Sequence, residues 1–171
     1  FIKAASFSRA LRHSKYSEIN EVIVHSGQHY DANMSSMFFD ELSIPKPLYN
    51  LSVGSGSHGS QTGAIIVALE GILKIEKPDL VLVYGDTNTT LGAALATSKT
   101  KIKLAHVEAG LRSYRKGMPE EVNRVVTDAL SDLLFCPTEL AESNLTLEGK
   151  NREKIFFSGD IMFDSFLFYL E

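Results

Sequence analysis

The stretch "VLVYGDTNTTLGAALA", Val81–Ala96, decides the fold. Its first four residues are continuously apolar, as a strand covered on both faces should be. Gly85-Asp86 interrupts the run, and "TLGAALA" resumes with small and apolar residues at helical spacing, so the segment is strand, tight turn, helix. The same alternation extends in both directions. "EVIVHS" precedes "ANMSSMFFDEL", "HGSQTGAIIVALEGILKIE" leads into "DLVLVYG", and "TLGAALATSK" leads into "IKLAHVEAG". "PEEVNRVVTDALSD", "LLFCPT", "ELAESNLTLEG", "KIFFSGD" and "IMFDSFLFYLE" continue it, with "IPKPLYN", "GSGSHG", "EKPD" and "RKGMP" as breakers between elements. This predicts an α/β fold: a Rossmann-like parallel sheet with helices on both faces.

The bulk properties narrow the function classes. A chain of 171 residues is enough for one domain with a substantial core. The formal net charge of -4 lacks the basic footprint of nucleic-acid binding, so no nucleic-acid partner is expected. No apolar run approaches the roughly 20 residues of a membrane helix, and a cytoplasmic protein without a membrane partner is expected. The lone cysteine, Cys136 in "DLLFCPT", has no partner for an internal disulfide and no flanking His or basic residue to activate it. A buried thiol in a reducing compartment is expected. His25, His29, His58 and His106 are scattered without a helical pair or a Cys cluster, so no metal site is expected.

In an open parallel sheet the ligand crevice lies outside the carboxyl ends of the strands, beside helix N-termini. The polar residues that follow strands are therefore the candidates: His25, Ser26, Gly27, Gln28 and His29; then Gly85, Asp86 and Thr87; then His106, Glu108 and Gly110; then Gly159 and Asp160. Asp86 could be a plain helix cap, as could Thr87, Asn88, Thr89 or Thr90. Glu108 in "HVEAGLRS" favours chemistry, because two carboxylates at neighbouring strand ends would face one crevice. In "GMPEEVNRVV" a proline at the first helical position followed by Glu120 and Glu121 is also what the helix dipole favours, so each has a purely structural alternative. Arg112 and Arg124 could pair with these acids or bind phosphate. The loop "SVGSGSHGSQTG" lacks the Gly-Lys-Ser/Thr end of a Walker motif and is expected to contact ligand or to move.

Taken together, "HSGQHYDANM", "GSGSHGSQTG", "GDTNTT", "HVEAGLRS", "PEEVNR" and "LLFCPTELAESNL" resemble, in order, the non-hydrolysing UDP-N-acetylglucosamine 2-epimerases. Phe1-Ile2-Lys3 resembles the middle of the family's "GTRPxxIK" segment. The resemblance implies one half of a GT-B-like two-domain enzyme: residues 1–159 as an N-terminal Rossmann-like domain lacking its first strand, and 160–171 as the start of the crossing to a UDP-binding domain. It implies an isomerase without a cofactor, which removes the C2 proton of a UDP-sugar, expels UDP and re-adds it through a glycal. Asp86, Glu108 and Glu120 match the family's acid/base positions, with Glu121 less favoured. Lys3, Gln28, His29, Gln61 and Arg112 resemble positions that meet substrate or an allosteric UDP-sugar. A homodimer is expected, and residues 1–171 alone are expected to be inactive.

The wording "GQHYDANM", "RSYRKGMPEE" and "SDLLFCPT" resembles equally the branch acting on UDP-2,3-diacetamido-2,3-dideoxyglucuronate, where Arg115 or Lys116 would meet a sugar carboxylate. A GT-B glycosyltransferase would share the fold but need an acceptor site. A non-catalytic sugar-nucleotide module would not need three clustered acids.

Overall fold

The computed structural model describes residues 1–27, 39 and 41–170, in two compact units. Most of the helix expected in "ANMSSMFFDEL", together with Gln28 and His29, lies outside the described residues.

The first unit holds Phe1–Ser55 and the segment from Ile161 onward. Helix α1 (Ile2–Leu11) begins it, and strands β1 (Val24–His25) and β2 (Tyr49–Asn50) pair in parallel. Ala5, Phe39 and Ile44 are its buried apolar centre, packed against Phe1, Ile23 and Leu42. The last helix of the chain, α6 (Ile161–Phe168), returns to α1. Ser165 hydrogen-bonds Ser6, and the Arg9 guanidinium sits 3.4 Å over the Phe168 ring, a cation–π contact.

The second unit, Gly56–Asp160, carries the elements predicted around Val81–Ala96. They are helix α2 (His58–Glu76), β3 (Leu80–Tyr84), α3 (Asn88–Ser98), β4 (Lys103–Val107), α4 (Pro119–Leu130), β5 (Leu133–Cys136), α5 (Glu139–Leu147) and β6 (Ile155–Phe157). Its four strands form one parallel sheet in sequential order β3-β4-β5-β6, as alternating β and α segments predict. Leu104, Leu134, Leu145 and Ile65 are all but inaccessible. Each stabilises the fold by roughly 1.5–3 kcal/mol through burial. Gly92 lets α3 lie on α2: a Cβ there would meet Ile65 Cγ2 at 2.8 Å.

The helices start where the sequence offers caps. Ser57, Thr87 and Thr138 accept bonds from the N–H groups of Ser60, Thr90 and Ala141. Thr87, not Asp86, therefore caps α3, and the Thr90 hydroxyl ties that helix to β3 through the Tyr84 carbonyl at 2.6 Å. Cys136 is fully buried, as expected. Burial, together with the charges of Asp128 and Glu142, pushes its thiol up to about 12, which leaves it inert at neutral pH.

Candidate active site

Two of the three candidate acids lie at one edge of one sheet. Tyr84 pairs with Val107, and the Gly85 N–H donates to the Val107 carbonyl at 3.0 Å. Asp86 and Glu108 therefore leave the carboxyl ends of adjacent parallel strands. Glu108 has φ 73, left-handed for a residue with a Cβ, and the glycines of the two turns, Gly85 (φ 64) and Gly110 (φ 81), share that region. Such a backbone persists only where its surroundings hold it, and is frequent at functional sites. Gly110 has no alternative residue: a Cβ would lie 2.2 Å from the Ala141 carbonyl oxygen.

Helix α4 carries Glu120 and Glu121 in its first turn. Its Asn123 amide donates to the Asp86 carbonyl at 2.8 Å, and Arg124 donates to Asp86 Oδ2 from Nε at 3.0 Å and Nη2 at 2.8 Å. Glu120 precedes these residues by three and four positions, so it shares their helix face. Glu120 is partly exposed, and the Asp86 side chain keeps 33% of its surface open.

Glu121 behaves differently from its neighbour. It is buried and accepts from the N–H groups of Ser113 (2.9 Å) and Tyr114 (2.8 Å), the Ser113 hydroxyl (3.0 Å) and Arg124 Nη1 (2.6 Å). It thus fixes the loop between β4 and α4 and links that loop, through Arg124, to Asp86. Burial by itself would raise its carboxyl, but these bonds outweigh burial and hold it below the ordinary glutamate range. A carboxyl held low when folded stabilises the protein above its unfolded value of about 4.3, and that contribution is lost as pH falls through the folded value. Glu121→Gln should therefore lower the denaturation midpoint at pH 7, with the gap to the parent narrowing as pH is taken from about 6 to 3. An unchanging gap would mean that the Glu121 charge contributes nothing.

The remaining candidates separate. Gln61 is buried and accepts a 2.7 Å bond from Asn88, which also reaches His58, while Asn123 donates to Asn88 at 3.4 Å. Asn88, Asn123 and His58 line an open hollow of about 490 Å³ at the N-terminal ends of α2, α3 and α4, whose remaining wall is mostly apolar and includes Ile66, Leu91 and Val122. Lys3 lies in α1 of the first unit, and Gln28 and His29 lie outside the described residues.

Arg112 is not placed to meet a ligand. Its side chain is 1% exposed, and it donates to both carboxylate oxygens of Glu148 at 2.7 Å, to Asp128 Oδ2 at 2.7 Å and to the Leu111 carbonyl. Substrate or allosteric contact is what the resemblance implies for Arg112; here its planar fork is occupied by two carboxylates and a carbonyl. Burial disfavours its charge, but the bonds to Glu148 and the nearby Asp128 prevail and raise its pKa.

His106 also differs from its expected place after a strand. It belongs to β4 and is fully buried, with Nδ1 2.6 Å from Asp128 Oδ1 and Nε2 2.7 Å from the Gly85 carbonyl oxygen. Asp128, which holds His106, Arg112 and the Gly110 turn together, is a residue that the sequence patterns do not single out. An acid on the inner face of α4, beside Thr127, is the signal for it, because such an acid needs a buried partner. Among the described residues, no group of His, Cys, Asp and Glu could hold a metal ion.

The sequence profile of the UDP-N-acetylglucosamine 2-epimerase family matches residues 10–171. The chain belongs to that family. A UDP-N-acetylglucosamine 2-epimerase homolog of Methanococcus maripaludis is 58% identical over 98% of this chain and 45% of its own length. The UDP-2,3-diacetamido-2,3-dideoxy-D-glucuronate 2-epimerase of Pseudomonas aeruginosa is 51% identical over 100% of this chain and 48% of its own. Among solved structures, Methanocaldococcus jannaschii UDP-GlcNAc 2-epimerase, in complex with UDP-GlcNAc and UDP, superposes with TM-score 0.92 at 51% identity over 97% of this chain and 45% of that one. The chain thus spans about half the length of the epimerases it matches, as one half of a GT-B-like architecture should.

Proposed function

We propose that this chain is the N-terminal half of a non-hydrolysing UDP-N-acetylglucosamine 2-epimerase that interconverts UDP-GlcNAc and UDP-ManNAc. The observation that carries the proposal is the placement of Asp86 and Glu108 at adjacent strand ends, with Glu120 on the α4 face that holds Asp86. Epimerisation needs a group that takes the C2 proton and a group that returns one to the opposite face. In the elimination step a carboxylate takes the C2 proton, the C1–O bond breaks, UDP leaves with that electron pair, and a C1=C2 double bond remains in 2-acetamidoglucal. Re-addition of UDP to C1 with protonation of C2 from the other side completes the inversion. Asp86, Glu108 and Glu120 supply the acid and base groups, and no redox cofactor is needed.

A second reading has its own support. Identity to the diacetamido-glucuronate epimerase extends over the whole chain, so UDP-2,3-diacetamido-2,3-dideoxyglucuronate is the alternative substrate. No helix among the described residues is long and apolar enough to cross a membrane. The test is incubation of the full-length protein with each UDP-sugar in deuterated water. Deuterium at C2 without any acceptor is the expected result with one of them. Transfer only in the presence of an acceptor would indicate a glycosyltransferase, and binding without exchange a non-catalytic module.

A further inference from the structure

We infer that His106 is a positioning residue that sets the two acid-bearing turns relative to each other, an inference that rests on the proposed roles of Asp86 and Glu108. The ring is fully buried, beyond direct reach of a substrate at the sheet edge. One nitrogen reaches each turn. Nε2 lies 2.7 Å from the carbonyl oxygen of Gly85, the residue before Asp86. A carbonyl only accepts, so Nε2 carries a hydrogen and donates it. Nδ1 lies 2.6 Å from Asp128 Oδ1, and the other oxygen of Asp128 accepts the Gly110 N–H at 3.0 Å, two residues beyond Glu108.

The two glycines have left-handed backbones, and so does Glu108 between β4 and Gly110. A turn in that region relaxes unless hydrogen bonds hold it. The chain Gly85 carbonyl, His106, Asp128, Gly110 amide is a continuous set of such bonds beneath both acids. Ordinary packing would be served by an apolar side chain at this buried strand position. An imidazole is needed only if both ends of the link matter, and a misplacement of about 1 Å in a reacting group can lower turnover roughly 100-fold.

The test compares two replacements in the full-length protein. The side-chain amide introduced by His106→Gln can still reach the Gly85 carbonyl, whereas the shorter amide introduced by His106→Asn can reach only Asp128. Each variant keeps one end of the link and breaks the other, so both are expected to lose about 100-fold in kcat for C2 exchange with KM within about threefold. Thermal midpoints of the two variants should be similar. A loss below about tenfold in either variant, or losses that follow the thermal midpoints, would overturn the inference. The parent enzyme is the control for the underlying function: absence of exchange there would count against the proposed reaction, not against His106. A second measurement needs neither variant nor activity. The 15N spectrum of the folded parent protein should show Nε2 of His106 as a protonated nitrogen, and an unprotonated Nε2 would remove the link to Gly85.

Discussion

Glu108→Gln in the full-length protein is expected to lower turnover by about 100-fold or more while leaving the thermal midpoint almost unchanged, because an acid/base group contributes on that scale. Glutamine keeps the size and the backbone demands of glutamate and removes only the ability to take up and release a proton. The backbone makes the case stronger. A residue with a Cβ at φ 73 costs about 1 kcal/mol or more relative to a permitted conformation, and glycine would avoid that cost. Glu108→Gly should therefore lose little or no stability although it removes a whole side chain, and should be as inactive as Glu108→Gln. Asp86→Asn and Glu120→Gln should show the same loss of kcat. The measurement is kcat and KM for C2 exchange beside a thermal melt for each variant. A loss of rate below about tenfold, or one matched by lost stability, would return Glu108 to a structural role.

Much of the second unit was legible because its signals are local. The apolar run "VLVY", the break at Gly85 and the helical spacing after it need no knowledge of the rest of the chain. The edge at which Asp86 and Glu108 sit follows from the parallel order alone. What stayed ambiguous depends on contacts between distant segments. Four residues able to cap follow Asp86, and only the fold shows Thr87 accepting from Thr90 while Asp86 turns to Arg124. Glu120 and Glu121 are equivalent to the helix dipole. They are separated by the loop at Ser113 and Tyr114, which reaches Glu121 alone. The internal bonds of Arg112 were not legible because arginine is rarely buried, and its partner Glu148 lies 36 residues away. Separation in sequence also hid Asp128, which lies 22 residues from His106 and 18 from Gly110.

Asp128→Ala is expected to destabilise the protein by about 3–5 kcal/mol, the scale for removing one partner from a buried charged network. That corresponds to a fall of roughly 6–20 °C in Tm for a domain of this size. The carboxylate is fully buried, lies 2.6 Å from His106 Nδ1, and accepts from Arg112 Nη1 and the Gly110 N–H. Alanine would leave Arg112, Gly110 and His106 Nδ1 without that partner, and Arg112 would keep only Glu148 to balance its charge. Asp128→Asn separates the hydrogen bonds from the charge. Its amide oxygen can still accept from Arg112 and Gly110, and its amide nitrogen can donate to Nδ1 of a His106 ring whose hydrogen sits on Nε2. The asparagine variant should thus lose clearly less stability than the alanine variant, with the difference measuring the bonds and the remainder measuring the charge. Chemical denaturation of both variants beside the parent reads the two quantities directly. Equal losses would mean that charge alone holds the network. A loss below about 1 kcal/mol for alanine would mean that water enters and satisfies the donors, and that the turns carrying Asp86 and Glu108 are held by something other than this carboxylate.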